Sequence, residues 1–330
     1  MLALRFYGPG DIMIQNVEKP VCAPGEVLVK VAYAGICGSD LHVYRKGMFV
    51  TSTPVTMGHE FAGVVVEVGE GVAAVSPGDH VIGDPRVSCG SCQWCRRGLD
   101  NLCPDLGFIG EVSPGCFAEY IVISPEKLLV VPPDLDLRLA ALVEPLAVAW
   151  HVVQKAGLSA NTSVGIVGAG PIGLLTLILA GIAPAGGVTV VDISSSRLDV
   201  ARKLGADRVL SAFPHQSSDQ VDVVVEAAGV KDTLWAAVKW LKPGGRLILA
   251  GLYEQKVELD FNEVIAKELS VAGSNAYDIA DLRTAIELLS SNRVNVTGII
   301  SHVFPLREAE QAFSLLTSRD KRALKVLLAP

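Results

Sequence analysis

Apolar positions along this chain follow two rhythms. Up to about residue 145 they come in short alternating runs, at 26–31, 61–68, 80–82, 118–123 and 128–131, punctuated by glycine and proline. Alternation with a period of two marks strands with one buried face, and many short ones predict a largely antiparallel, barrel-like β domain. After Glu144-Pro145, apolar strands alternate with helical stretches, the pattern of βαβ units around a parallel sheet. Strands are expected at 163–167, 188–192, 207–210, 221–225, 245–250 and 269–273, and helices near 171–182, 195–204, 231–241 and 261–267. The tail reads as a helix at 281–290, a strand at 299–304, a helix at 306–318 and a closing strand at 325–328. It is expected to return to the first domain. No internal repeat or low-complexity segment interrupts the chain.

One run changes the picture if read by hydropathy alone. No charged residue occurs between Ala156 and Val191, long enough to suggest a membrane span. Gly168, Gly170, Gly173, Pro184 and Gly186-Gly187 divide it into strand, tight turn, helix and second strand. So apolar a helix is expected to be covered on both sides, by a sheet and by a neighbouring domain. The 330 residues, half hydrophobic and 19% charged, suffice for two domains with a core each. A net charge of −7 argues against nucleic acid or an anionic membrane as partner. Met1 to Gly10 lacks a basic segment followed by an apolar core, so a cytoplasmic protein is expected. Seven cysteines, several in C-x-x-C spacing, point to metal rather than disulfides in that compartment. Cys22 and Cys116 fall outside the clusters and read as ordinary thiols.

Cys89, Cys92, Cys95 and Cys103 are spaced C-x2-C-x2-C-x7-C in a loop with Gly90, Gly98, Pro104, Arg96 and Arg97. Four thiolates repel one another unless a dication neutralises them, and zinc does so tetrahedrally; an iron–sulfur cluster is the alternative. The ion would staple an excursion without a core of its own. Cys37 and the pair His59-Glu60 form a different set. Sulfur, imidazole and carboxylate are the donors of a zinc that keeps a position open for chemistry. The third ligand is Glu60 or a residue from elsewhere, with Glu144 the other candidate. Such an ion polarises an alcohol oxygen and promotes loss of hydride from its carbon. Ser39 and His42 lie close to Cys37 and are candidates to relay the released proton through the cofactor's ribose, His42 outermost. His80, His151, His215 and His302 have no such company and read as structural.

Val164-Gly165-Ile166-Val167 leads into Gly168-Ala169-Gly170-Pro171-Ile172-Gly173, a G-x-G-x-x-G between strand and helix. The glycines allow a tight turn, close approach to a pyrophosphate, and helix–strand packing, with the helix N-terminus facing the phosphates. The next strand ends at Asp192, where a carboxylate would bind a ribose 2′-hydroxyl and repel a 2′-phosphate, favouring NAD over NADP. Arg197 is a second candidate beside the adenine ribose, or a solvated helix residue.

In combination, Gly35-Ile36-Cys37-Gly38-Ser39-Asp40, Gly58-His59-Glu60, Gly78-Asp79-His80-Val81, the four-cysteine lobe, Glu144-Pro145-Leu146, the glycine fingerprint and Glu226-Ala227-Ala228-Gly229 resemble the zinc-dependent medium-chain dehydrogenases over essentially the whole chain. The resemblance implies a GroES-like β-barrel catalytic domain at 1–146, completed by 279–330 and carrying a structural-zinc lobe at 85–110. It implies a Rossmann NAD-binding domain at 147–278, a cleft between the two, and a homodimer or homotetramer. Glu144-Pro145 resembles the polyol, threonine and butanediol dehydrogenase branch. There Cys37, His59 and Glu60 would bind a catalytic zinc, with Glu144 in its outer shell or exchanging with a ligand. Ala250-Gly251-Leu252 and Ser274-Asn275 would lie near the nicotinamide. Three positions depart from the pattern. Val43 stands where sorbitol dehydrogenases carry tyrosine, Ala276-Tyr277 where a polyol-contacting arginine is expected, and Ser39 where threonine dehydrogenases usually have threonine. The reading is thus an NAD-dependent zinc dehydrogenase that oxidises a secondary alcohol of a polyol or vicinal diol to a ketone. L-threonine oxidation is the alternative within this chemistry. A non-catalytic zinc- and nucleotide-binding structural or sensor protein is the alternative outside it.

Overall fold

The structure, a computed structural model, describes residues 1–183, 185–214, 216–318 and 322–330. Pro184 and His215, both used above, lie outside the described residues. The chain divides into two compact units, one of Met1–Glu144, Asp278–Arg293 and Ile300–Pro330, the other of Pro145–Tyr277 and Val294–Ile299.

The first unit is a GroES-like barrel. Its main sheet runs in the order Leu128–Val130, His80–Gly83, Glu60–Val68, Val27–Ile36, Lys325–Ala329, Ile300–Pro305, with Tyr120–Ile123 paired beside Val27–Ile36. All of these pairs are antiparallel except Ile300–Pro305 with Lys325–Ala329. Val27–Ile36 pairs with three strands, and its register shifts at Leu28/Val29 and Val31/Tyr33. Such irregularities bend a strand enough to close a barrel. Inside lie Val29, Val31, Phe61, Val65, Phe117 and Val326. The helix Ala309–Thr317 closes one side of the core because Ala309, Ala312 and Phe313 fall on one face, the i, i+3, i+4 spacing. The Phe313 ring meets Tyr44 and Phe117 edge-on.

Three elements went unread in the sequence: the hairpin of Leu2–Gly8 with Asp11–Asn16, the helix Gly38–Lys46 and the helix Val143–Ala156. Gly38–Lys46 is polar almost throughout and buries only Asp40 and Val43, so it carries no apolar period. What starts it is a reciprocal cap, in which the Asp40 carboxylate accepts the Cys37 N–H, as in a capping box.

The second unit is a Rossmann-type parallel sheet. Its order is Arg208–Leu210, Gly187–Val191, Ser163–Val167, Val221–Glu226, Leu241–Leu249, Ser270–Gly273, with every neighbour parallel. The direction of winding reverses between Ser163–Val167 and Val221–Glu226, where such sheets take their ligands. Leu241–Leu249 starts earlier than the sequence suggests, because Lys242-Pro243-Gly244-Gly245, which reads as a turn, is absorbed as a register shift opposite Val221 and Val223. The apolar helix spans only Pro171–Ala180 and buries Leu174, Leu175, Leu177 and Leu179. Among the described residues no helix is long and apolar enough to cross a membrane.

Gly165 sits in the central strand under the Trp240 ring, and a Cβ there would collide with the indole. Gly165→Ala should therefore destabilise this unit by about 1–3 kcal/mol, visible as a lower urea midpoint. An unchanged midpoint would show that Trp240 moves aside freely.

Candidate active site and metal centres

The strand Val27–Ile36 delivers Cys37 to the first turn of Gly38–Lys46, and Glu60 opens the neighbouring strand, paired across from Gly35. The donor atoms of Cys37, His59 and Glu60 all lie within 4.8 Å of one another. Asp40, quoted in the sequence for its motif only, lies against two of them. Its Oδ2 accepts the Cys37 N–H at 2.8 Å, and its Oδ1 lies 3.6 Å from His59 Nδ1, both side chains 4% exposed. A carboxylate behind a ligating imidazole fixes the ring and raises its basicity.

Lys325 was missed as a site residue. Its Nζ donates to Glu60 Oε1 at 2.8 Å, to Glu60 Oε2 at 2.7 Å and to the Ile36 carbonyl at 3.1 Å. Lysine at the head of a closing strand reads as a solvated end. Here it is buried, and so is Glu60. Gly35 makes the room, since a Cβ at that position would strike the Glu60 carboxylate.

The pocket is rich in acids. Burial opposes charge on His59, but Asp40 and then Cys37 outweigh it and raise its pKa well above the ordinary range. Lys325 is likewise held charged against burial, chiefly by Glu60. Glu144, in the first turn of Val143–Ala156 and 6% exposed, is pushed up to about 7, first by burial and then by the Glu60 charge. It stands outside the converging group of Cys37, His59 and Glu60. A proton held on His59 by surrounding anions marks a place where a dication is favoured, because metal binding displaces such protons. Sulfur, nitrogen and carboxylate oxygen fit zinc. Ser39 Oγ lies 3.4 Å from His59 Nε2, and His42 follows one turn later on the same helix.

Cys89, Cys92, Cys95 and Cys103 form the other converging group. Cys95 Sγ is 3.5 Å from Cys92 Sγ and 3.9 Å from Cys89 Sγ. The N–H of Cys92 points at Cys89 Sγ, that of Cys95 at Cys92 Sγ, and that of Cys89 at Cys103 Sγ, at 3.3 to 3.4 Å. Backbone hydrogen bonds from Ser91 and Cys92 draw the Cys89 thiol down to about 6. Burial, then the Cys92 contact, pushes Cys95 up to about 12. The quartet thus shares its protons unevenly, and a dication would release them all. Around it the lobe consists of single turns, Cys95–Arg97 and Asp100–Leu102, with few buried residues. Its cysteines, with Cys22, Cys37 and Cys116, are all free thiols.

In the second unit the glycine loop has the shape a dinucleotide needs. Gly168 adopts φ 96°, which only glycine takes without strain. A Cβ at Gly170 would point into open space, whereas one at Gly173 would strike the Gly168 carbonyl. The first is the side a phosphate would approach, the second the packing contact of helix on strand. Asp192 shapes the loop as well, its Oδ2 accepting the Ala169 N–H at 2.7 Å and its Oδ1 the Ser194 N–H at 2.8 Å. Each oxygen keeps a second lone pair for a sugar hydroxyl. Arg197 is half-buried in the helix Ser195–Lys203.

Glu226 was quoted in the sequence for its motif only. Fully buried at the end of Val221–Glu226, it accepts from the Ala228 and Gly229 N–H groups, from Thr233 Oγ1 at 2.9 Å and from Tyr253 Oη at 2.8 Å. Its carbonyl takes the N–H groups of Ala250 and Gly251 at 2.9 Å. The segment of Ala250, Gly251 and Leu252 is therefore pinned to the carboxyl end of the sheet. Burial and the Glu226 charge raise the Tyr253 phenol far above its usual range, so it remains a donor. Ser274 follows on the last strand, with its N–H on the Leu249 carbonyl at 2.8 Å and its Oγ buried without a partner among the described residues. Asn275 is its neighbour in the chain.

Residues 23–133 match the family described as alcohol dehydrogenase GroES-like domain, and residues 171–291 match the zinc-binding dehydrogenase family. A sorbitol dehydrogenase of Halalkalibacterium halodurans is 35% identical over 98% of this chain and 97% of its own. A Sinorhizobium meliloti protein solved bound to NADP superposes with a TM-score of 0.93 at 34% identity, covering 100% of this chain and 99% of that one. The 2R,3R-butanediol dehydrogenase of Bacillus subtilis does so with a TM-score of 0.91 at 32% identity, over 100% and 99%. The chain belongs to the zinc-dependent medium-chain dehydrogenases, in their polyol dehydrogenase branch.

If Asp40 orients His59 for a metal, Asp40→Asn should lower zinc affinity at the open site by roughly 10- to 100-fold. Competition with a chromophoric chelator measures this, with the four-cysteine site as internal reference.

Proposed function

We propose that this chain oxidises a secondary alcohol of a polyol or vicinal diol to the ketone and passes the hydride to NAD, in the cytoplasm and as a homodimer or homotetramer. The observation that carries the reading is the convergence of Cys37, His59 and Glu60 on one buried, acid-rich point. Cys37, His59 and Glu60 would hold a zinc that supplies Lewis-acid polarisation of the alcohol oxygen, and bound NAD would supply the hydride acceptor. Asp40 keeps the His59 ring and the Cys37 backbone in place. Lys325 holds the Glu60 carboxylate and offsets part of the surrounding negative charge. Ser39 Oγ would accept the alcohol's proton while passing its own through the cofactor's ribose to His42, the outermost base, which releases it to water. Glu144, buried and held near neutrality in pKa, serves in the outer shell. A second zinc in the four-cysteine site staples the lobe.

On the cofactor side, the Gly168–Gly173 turn receives the pyrophosphate, while Asp192 and Arg197 flank the adenine ribose. The segments of Ala250 to Leu252 and of Ser274 and Asn275 face the nicotinamide. Asp192 repels a 2′-phosphate, which favours NAD here even though the Sinorhizobium protein was solved with NADP. Polyol and diol enzymes among the relatives favour the polyol reading over L-threonine. Seven free thiols suit a reducing compartment.

NAD reduction over xylitol, sorbitol, butane-2,3-diol and L-threonine should give turnover with one or more polyols or diols, and Cys37→Ser should lose it while keeping the zinc of the four-cysteine site. Turnover of threonine alone would favour the amino-acid reading. No turnover by a protein carrying both zincs would favour a binding protein. Asp192→Ala should raise the NADP-to-NAD ratio of kcat/KM by roughly tenfold or more. An unmoved ratio would remove Asp192 from cofactor selection.

A further inference from the structure

Glu111 is an acid that the mechanism above does not use. It is only 6% exposed, yet among the described residues no hydrogen-bond donor reaches its carboxyl. Its oxygens are not among the fully enclosed polar atoms left without a partner, so this carboxyl in a largely buried residue is open to a partner from outside. Other buried acids have their donors within the protein. Asp84 takes Arg86 Nε and Nη2 at 2.9 and 2.8 Å, Glu60 takes Lys325 and Glu226 takes two backbone N–H groups and two hydroxyls.

Its position is set by three contacts. Gly110, the residue before it, lies against Gly58, so close that a Cβ on Gly110 would be 2.6 Å from the Gly58 nitrogen and carbonyl oxygen. Phe108, whose carbonyl accepts the Glu111 N–H at 3.1 Å, sets its ring edge-on to His59 at 5.7 Å between centroids. The Glu111 carbonyl accepts the Thr51 N–H at 3.3 Å, tying this turn to the loop that carries half-exposed Phe49. The charges of His59 and Asp40 both act on the carboxyl. The turn that carries Glu111 thus packs against the segment of Gly58 and His59 and is tied by its backbone to the loop that carries Phe49.

Resting on the polyol reading, we propose that Glu111 is a specificity-determining residue whose carboxyl binds a hydroxyl of the substrate other than the one being oxidised. A hydroxyl is both donor and acceptor, so it satisfies a carboxyl in either protonation state, whereas a methyl in its place satisfies neither. A simple alcohol leaves Glu111 without a partner, and a site with an unpaired buried polar group discriminates against the analogue that lacks the matching group. The preference for diols over monoalcohols is thereby placed in this chain at a residue outside the metal ligands.

The test compares butane-2,3-diol with butan-2-ol, equal in carbon skeleton, using the zinc-loaded enzyme with NAD. Wild type should favour the diol in kcat/KM, and Glu111→Val should reduce that diol-to-monoalcohol ratio roughly tenfold, mainly through KM for the diol. Glu111→Gln, which keeps volume and hydrogen bonding, should restore part of the ratio. Protection of the zinc- and NADH-loaded protein against thermal unfolding by the diol should weaken in parallel. Zinc content and NADH affinity, read on both variants, report whether the fold is intact. A ratio unchanged in both folded variants overturns the assignment, as does a wild type that treats the two alcohols alike. A wild type that oxidises no alcohol at all overturns the broader functional reading and this assignment with it.

Discussion

The Lys325–Glu60 pair is the interaction on which the first unit's chemistry depends. It joins residues far apart in the chain inside a site without solvent at either partner. Taking both charges out of water costs more than their attraction easily repays, so the pair is not explained by stability alone. The surroundings explain it better. Asp40, Glu60, Glu144 and Cys37 all act on His59 or Lys325, a crowd of acids that a fixed cation offsets. Lys325 supplies that cation permanently and binds both Glu60 oxygens, yet the carboxylate still lies within ligand range of Cys37 and His59. A carboxylate held in this way is oriented before any metal arrives. The same contact gives the chain's last strand a reason to pair with Val27–Ile36, because the Lys325 Nζ also caps the Ile36 carbonyl.

Carboxylates play a different part in the second unit. Asp192 and Glu226 each end a strand, and each accepts backbone N–H groups from the turn that follows or faces it. The parallel sheet leaves its carboxyl ends open, and these two acids convert the open ends into defined turns. Glu226 does so at the strand beside the reversal of winding and holds Tyr253 and Thr233 as well. Close approach follows, as a Cβ at Gly229 would strike the Leu252 carbonyl. The turns at the carboxyl end of the sheet are thus shaped by the acids that end its strands.

Most of the architecture was legible in the sequence because the apolar rhythm changes where the fold changes. The six parallel strands and their helices fell within a few residues of the expected positions, the central strands Ser163–Val167 and Val221–Glu226 being apolar runs buried almost throughout. Gly38–Lys46 was not legible, since a polar helix held by a cap has no period to read. The chemistry-bearing residues of fixed spacing, Cys37, His59-Glu60, the four cysteines and the glycine loop, could be picked out because their residue types have few other uses together. Their partners could not. Asp40, Lys325 and Glu111 are ordinary charged residues in the sequence, and only the fold shows that each is buried and what lies beside it.

That contrast separates two kinds of buried acid. Asp84 has Arg86 clamped on both oxygens and Lys127 at 3.7 Å, so its partners come from the protein alone. Glu144 and Glu111 have no such clamp; both lie beside His59 and both are held near a pKa of about 7. The chain's buried cations make their hydrogen bonds to Asp84 and Glu60. A site that is meant to accept polar hydroxyls at neutral pH needs acids of this second kind, able to donate or accept as the ligand requires.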